Sequence, residues 1–436
     1  MVEENGRLPT SKFIGGMMKI FRMAWRNMWR NRWRTFISGF AIFVSSFVVA
    51  LVISFETGFI GDMESNVINH LTGDIRIMNE EYVKNERVSP LQFCIADTPS
   101  AMTIVKADPY VSQVTPKTEF GISIYRSGEQ IISRAVGIDF ETAPLVHEVN
   151  NRITAGDVPK PESAGVLVTT ELADELSLRP GDKFTALART AINGTNGKTF
   201  TVSGIISIAD SDYSGRLFFL DWRTAGTFLR MDGNALQLQV FLKNPKEENV
   251  ALESITQTLN GANITDGIGA VQKYDIRPWH EVSGMYQFLQ MADLIYAIIG
   301  GIFYLLACTV IFNTTMMSVL DRKKEIGTLS ALGMEKSRLV SLFLLESLMI
   351  SVIGSVVGLV CGAIVINTAG KIGFDVNAMG GASISGMSFS QIIYLSLSVE
   401  KYFTIFILGA IISFIASYLP SRMAAGVEPA KALADR

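Results

Sequence analysis

Cysteine and histidine are nearly absent: the 436 residues hold three of each. Cys308 and Cys361 fall inside long apolar runs and Cys94 stands alone in the polar part, so no disulfide framework or thiolate metal site can be drawn. His70, His147 and His280 are isolated, and none sits in an HExxH or similar spacing, so no metal site is expected. No Gly-x-Ser-x-Gly nucleophile elbow occurs. One segment, Gly194–Thr199 (GTNGKT), imitates a phosphate loop. A true loop needs glycine five positions before the Gly197-Lys198-Thr199 trio, where Ile192 stands, and a following helix, where Phe200–Ile208 reads as a strand. It is a polar hairpin on this reading. The acidic pairs Asp210/Asp212 and Glu247/Glu248 read as solvated loop charges. A stand-alone enzyme is therefore left without a catalytic constellation.

Long hydrophobic runs, by contrast, are plentiful. Four uncharged apolar stretches, Phe36–Phe55, Leu294–Leu320, Ser347–Gly370 and Tyr402–Ser421, are each at least twenty residues. At about 1.5 Å rise per residue a helix of that length crosses a hydrocarbon core of roughly 30 Å. The expected fold is a membrane α-helical protein with four transmembrane helices and a large extracytoplasmic α+β domain inserted between helices 1 and 2. Its divisions are residues 1–35, a cytoplasmic tail with an amphipathic helix; 36–56, the first span; 57–287, the exported domain; and 288–436, with spans at about 292–318, 343–368 and 402–421.

Charge sets the orientation. Eight basic and no acidic residues lie over Arg7–Arg34, which keeps the amino terminus in the cytoplasm, and four spans return the carboxyl terminus there. The link Asp321–Arg338, with five basic and three acidic residues, is cytoplasmic by the same rule, whereas Asn367–Lys401 is near neutral. The first run exceeds the usual h-region and no Ala-x-Ala pattern follows it, which argues against a cleaved signal peptide. Glu56–Glu281 holds thirty acidic and twenty basic residues, a balance that suits a soluble exported domain and disfavours nucleic acid.

Within this frame, Ile20–Arg34 places Phe21, Trp25, Met28, Trp29, Arg32 and Trp33 at helical spacings, an amphipathic helix on the inner membrane face that serves as an anchor or as a docking surface for a cytoplasmic partner. In the exported part Ile75–Ile77, Gly121–Tyr125, Gly165–Thr170, Phe200–Ile208 and Leu236–Leu242 read as strands. Glu171–Leu178 and Glu247–Leu259 read as helices, the latter with Val250, Leu252, Ile255 and Leu259 on one side. Leu176–Lys183 (LSLRPGDK) reads as a helix end turning into a strand through Pro180-Gly181. Trp279–Leu289 is read as continuing rigidly into the second span. Glu346, near the start of the third span, needs a partner such as Arg338 or a neighbouring helix, either for helix pairing or for coupling. Gly354, Gly358 and Gly362 recur every four residues, a smooth face for a dimer seam or for intramolecular packing. Leu320–Met334 (LDRKKEIGTLSALGM) is expected to form a short helix along the inner surface on which a cytoplasmic motor could push, with Gly327 and Gly333 allowing turns or close approach.

DRKKEIGTLSALGMEKSRLVSLFLLES, the glycine-rich span after it and PSRMAAGVEPAKAL together resemble the FtsX-like permease domain. With RNMWRNRWRTFIS and the large insertion the chain resembles MacB-type, or type VII, permeases of ATP-binding cassette systems. The resemblance covers nearly all of the chain. It implies a non-catalytic subunit that binds no cofactor itself and works as a homo- or heterodimer over a cytoplasmic ATPase dimer that carries ATP and magnesium. Glu325, Ile326, Gly327, Leu329, Leu332 and Gly333 match the family's coupling segment; Pro420, Arg422, Ala424, Pro429 and Leu433 match its carboxyl-terminal pattern. The stretch ETGFIGDMESNVINHLTGDIRIMNEEY is similar to the lipoprotein-releasing branch, although of that branch's Met-Asn-Gly-Phe only Gly58 and Phe59 are kept, after Glu56 and Thr57. That likeness implies an inner-membrane subunit that extracts lipoprotein cargo and hands it to a periplasmic carrier. On this view Met63, Val67, Ile68 and Leu71 line an acyl-chain pocket, or else pack within the subunit. The alternatives are efflux of peptides or small amphiphiles with an adaptor protein, and transmembrane signalling to a cell-wall hydrolase.

Overall fold

The computed structural model describes residues 21–30, 32–126, 128–143, 153–207, 216–265, 269–375 and 392–426; Asp210, Asp212, His147, Pro429 and Leu433 lie outside them. The chain divides into two compact units, one of Met1–Ile60, Gln290–Asp375 and Ile392–Arg436, the other of Gly61–Leu289 and Val376–Gln391.

The second unit is a mixed α+β domain around one ten-stranded sheet. Its strands are β1 (Ile75–Asn79), β2 (Val111–Arg126), β3 (Glu129–Ile138), β4 (Ile153–Gly156), β5 (Gly165–Thr169), β6 (Lys183–Arg189), β7 (Thr195–Ile206), β8 (Leu217–Asp221), β9 (Gln237–Leu242) and β10 (Tyr274–Pro278). They run in the order β10-β1-β9-β2-β3-β8-β5-β7-β4, with β6 pairing both β2 and β7. The sixteen-residue β2 explains the layout: its first half pairs β9, its last residues pair β6, and β3 lies along it from Lys117 onward. Two lobes result, each with its own core. Ile75, Ile77, Val114, Leu238 and Val240 pack under helices Thr98–Lys106 and Glu248–Gly261 in one lobe. Phe120, Phe184, Phe200, Phe218 and Phe228 interlock in the other.

Glu248–Gly261 buries Ala251, Ile255 and Leu259, one residue every four, and leaves the predicted Val250 exposed. Gly194–Thr199 forms the end of a β6–β7 hairpin, with Gly197 opposite Leu187 and Lys198 opposite Ala186, so its amides serve the ladder. The LRPGDK turn closes with Gly181 at φ +93°. There Asp182 accepts from Arg126 at 2.9 Å and from the Arg179 amide at 3.0 Å, and the Arg126 bond holds its carboxyl below the usual range. The segment WHEVSGMYQFL is not one rigid helix. Trp279–Val282 is a single turn, the chain extends at Ser283, and the long helix starts at Met285.

The first unit carries the apolar helices. The four long helices are Arg32–Asn66, Met285–Asp321, Lys336–Ile372 and Val399–Ala425, each long and apolar enough to span a membrane. Small residues set their packing. A side chain on Gly354 would come 2.7 Å from the Gly39 carbonyl oxygen, and one on Gly358 would come 2.6 Å from that of Phe43, so the third span rests its glycine face directly on the backbone of the first. Gly409, Ser413 and Ser417 of the fourth span are buried; Ser351 donates to the Gly409 carbonyl at 3.2 Å, and Ser46 and Ser355 meet at 3.2 Å. The second span is held by longer side chains: the Tyr304 hydroxyl donates to the Ile405 carbonyl at 2.8 Å, and Ser38 donates to Thr314 at 2.7 Å.

Candidate functional site

Between the second and third spans the helical path breaks at Arg322, whose backbone leaves the α region, and a separate helix forms over Lys323–Ala331. It ends in a Schellman closure: Gly333 takes φ +88°, its amide donates to Ser330 at 3.1 Å, and the Met334 amide donates to Leu329 at 3.0 Å. A side chain at position 333 would pay for the left-handed backbone, which is why glycine ends this helix.

The short helix is docked by one anchor. Ile326 is only 2% exposed and packs with Val319, Leu339, Phe343, Ala424 and Ala425. Full burial of such a side chain stabilises by about 1.5–3 kcal/mol. The cluster joins two segments that the sequence singles out separately, since Ala424 belongs to the carboxyl-terminal pattern. Of the other residues in that pattern, Pro420 is buried inside the fourth helix and Arg422 is exposed. Gly327 is buried and Leu329 half-buried, whereas Leu332 is 80% exposed and shares an outward stripe with the exposed Lys324 and Thr328 at helical spacing.

Two ion pairs fix the element electrostatically. Arg322, at the break, donates to Glu346 on the third span at 3.2 Å, with the two side chains 7% and 8% exposed. Of the two partners expected from sequence, Arg338 pairs instead with Glu335 at the start of its own helix, and it is the neighbouring element that serves Glu346. Arg338 and Glu346 lie eight residues, about 12 Å, apart on one helix, whereas the chain reversal brings Arg322 alongside. The second guanidinium nitrogen of Arg322 reaches the Asn27 carbonyl at 3.4 Å. Arg30 meanwhile donates to both carboxylate oxygens of Glu325, at 2.6 and 2.5 Å, in a pair about half exposed. Residues 21–30 are helical and bury Ala24 and Met28 while Trp25 and Trp29 stay exposed. The amino-terminal helix is thus bonded to the interspan helix, a connection that composition alone did not reveal.

Gly354, Gly358 and Gly362 face the first span of the same chain. Met63 and Val67 are buried, Ile68 and Leu71 half-buried, and Leu71 packs against the core formed by Val136, Leu167 and Phe219. Among the described residues no group of three or more histidine, cysteine, aspartate or glutamate side chains converges as a metal site.

Comparison with known proteins places this architecture. Residues 35–258 match the MacB-like periplasmic core domain and residues 297–429 match the FtsX-like permease C-terminal model. The lipoprotein-releasing system transmembrane protein LolC of Xylella fastidiosa is 22% identical over 346 residues, covering 77% of this chain and 81% of its own. The macrolide export ATP-binding/permease protein MacB of Photorhabdus laumondii is 22% identical over 424 residues, covering 94% of this chain and 60% of its own. The periplasmic region of MacB from Actinobacillus actinomycetemcomitans aligns with 51% of this chain and 95% of its own at 14% identity and a TM-score of 0.36. With the first of these family models alone taking in just over half of the residues, the chain belongs to the FtsX/MacB-type permeases of ATP-binding cassette transporters, which join a MacB-like periplasmic core domain to an FtsX-like permease domain.

Proposed function

We propose that this chain is the membrane subunit through which a cytoplasmic ATPase dimer, loaded with ATP and magnesium, drives release of lipoproteins from the outer leaflet of the inner membrane. The observation that carries the coupling half of this reading is the interspan helix: anchored by Ile326, pinned by Arg322 to Glu346, and presenting Lys324, Thr328 and Leu332 outward. A partner that seats on Leu332 moves the ends of the second and third spans with it, because the helix has no slack at either end. The eight basic residues over Arg7–Arg34 put this end of the bundle, and both termini, in the cytoplasm. A second copy, or a related permease, completes the dimer.

The match to LolC over most of both chains favours lipoprotein as the cargo. The match to MacB over nearly all of this chain favours a second reading, efflux of an amphiphile with a periplasmic adaptor. One reconstitution separates them: the chain with its ATPase partner in liposomes, an acylated protein as cargo, and a soluble carrier outside. ATP-dependent transfer of cargo to the carrier, lost on Gly333→Val, is the expected result. ATP turnover with no transfer, together with retention of an adaptor on the exported domain, overturns lipoprotein release in favour of efflux.

A further inference from the structure

A groove of about 640 Å³ runs along the membrane helices between the first, second and fourth spans. Val49, Ile53, Leu305, Leu408, Ile412 and Ile415 wall it, and the smooth face of Gly300 and Gly301 widens it on the second span. From Lys401 to Ile415 it follows fourteen residues of helix, about 21 Å. One leaflet of a bilayer with a hydrocarbon core of about 30 Å is roughly 15 Å deep, so the groove has the length of one lipid tail and a little more.

Charge sits at one end only. Glu56 follows the first apolar run, Asp293 precedes the second and Lys401 precedes the fourth, so all three stand where helices leave the hydrocarbon. Lys401 and the Asp293 carboxyl both lie beside Glu56. The Lys401 ammonium donates to the Thr57 hydroxyl at 2.7 Å and keeps further N–H donors for another acceptor. This end therefore offers a carboxyl pair close enough to share a proton and a cation with spare donors, side by side at headgroup level.

We propose that the groove is a binding site for a phospholipid with a primary-amine headgroup, one tail in the apolar channel, the phosphate on Lys401 and the ammonium on Glu56 and Asp293. Both signs are needed: an anionic headgroup with no amine would set its charge against the negative carboxyl pair and leave the pair's oxygens without a donor, and a quaternary amine has no N–H to give them. The apolar wall alone is indifferent to headgroup, so selectivity resides in the charged end. The site rests on the membrane placement of the four helices and is independent of which cargo the complex moves.

The test uses the full chain with its membrane partners, reconstituted in nanodiscs of mixed phosphatidylethanolamine, phosphatidylglycerol and phosphatidylcholine, then stripped stepwise with detergent while the retained lipid is quantified by mass spectrometry. Gly301→Leu is the filling variant; a Cβ there meets nothing within 4 Å, so the helix accepts it. Retained phosphatidylethanolamine should exceed the other two about tenfold in the parent and fall about tenfold in Gly301→Leu. The double variant Glu56→Gln/Asp293→Asn should retain one lipid with no headgroup preference. Equal retention of all three lipids by the parent, or retention unchanged by Gly301→Leu, overturns the proposal. Displacement of the lipid by one equivalent of acylated peptide reassigns the groove to cargo, and a Gly301→Leu chain that loses its dimer but keeps its lipid reassigns it to the second subunit; either outcome also overturns the proposal.

Discussion

Arg322 and Arg30 each bind a carboxylate at the interspan helix, one on the third span and one on the helix itself, and burial separates what the two pairs are worth. The Arg322–Glu346 pair is 7% and 8% exposed, whereas Arg30–Glu325 is 54% and 53% exposed. Removing one member of a buried pair strands the other charge at a cost of about 3–5 kcal/mol, while replacing both by apolar residues of similar volume is roughly neutral. Exposed pairs are worth only about 0.2–1 kcal/mol and weaken with salt. Arg322→Met and Glu346→Leu should therefore each destabilise the bundle by several kcal/mol, and the double variant should recover most of the loss. The matching cycle at Arg30 and Glu325, with alanine at each, should give a coupling below about 1 kcal/mol that fades between low and high salt. Both cycles are read from equilibrium unfolding of the purified chain in nanodiscs by tryptophan fluorescence. If the two cycles give the same small, salt-sensitive coupling, then water reaches Arg322 and the interspan helix is not pinned, which removes the basis for a stiff coupling element.

Gly358→Leu forces a side chain into the Phe43 carbonyl and should separate the first and third spans, lowering stability by about 3 kcal/mol or more in the same unfolding assay. Ile326→Ala should cost about 2–4 kcal/mol by emptying its cluster, while Leu332→Ala should stay within about 0.5 kcal/mol yet weaken capture of the ATPase partner in a pull-down. Burial pushes the Cys94 thiol up to about 11 from an ordinary 9.0, so at pH 8 its thiolate fraction should be roughly 100-fold below that of an unfolded cysteine, and alkylation correspondingly slow. The neutral thiol is the buried form, so the stability it contributes is present below pH 9 and is lost as pH rises through about 11; a thermal scan of the isolated exported domain over that range checks the sign.

Much of the architecture is written in local pattern. Uncharged runs of at least twenty residues and short β-rich segments announce the four helices and about half of the strands, because length and periodicity are properties of neighbours in sequence. The Ile326–Gly333 segment is legible for the same reason, since a Schellman closure is built from six consecutive residues. What was missed is long-range. The sequence offers Glu346 either Arg338 on its own helix or a neighbouring helix, and does not say that the partner is Arg322, brought alongside by a chain reversal. Arg30 and Glu325 are 295 residues apart, and nothing in either segment announces the other. Val250 was placed on the buried side of its helix by hydrophobicity alone, but the sheet beneath takes Ala251, Ile255 and Leu259. One signal was present and unread: Gly409, Ser413 and Ser417 repeat every four residues in the fourth span, the same small-residue spacing that marks the third.

That second stripe changes how the bundle responds to force. The first, third and fourth spans meet through glycine and serine at backbone distance, contacts that permit little sliding because a shift of a few tenths of an ångström brings carbonyl oxygens onto Cα atoms. The second span lacks such a stripe. It meets the others through the Tyr304 hydroxyl on Ile405, through Thr314 with Ser38 and Thr315 with Ser347, and through the Phe303 carbonyl under Ser45 of the first span, and it leaves Ile295, Ile298, Ile302, Leu305 and Leu306 exposed. A push on the interspan helix would reach both the second and the third spans; the second, tied to the third by Arg322–Glu346 and Thr315–Ser347 but without a backbone-to-backbone seam, is the one expected to slide. A slide of the second span would also open or close the groove whose wall it supplies at Gly300, Gly301 and Leu305. The sequence difference between a small-residue helix and one that packs by longer side chains thus yields a prediction: disulfide trapping of the second span against the fourth should block coupling where trapping of the third against the first should not.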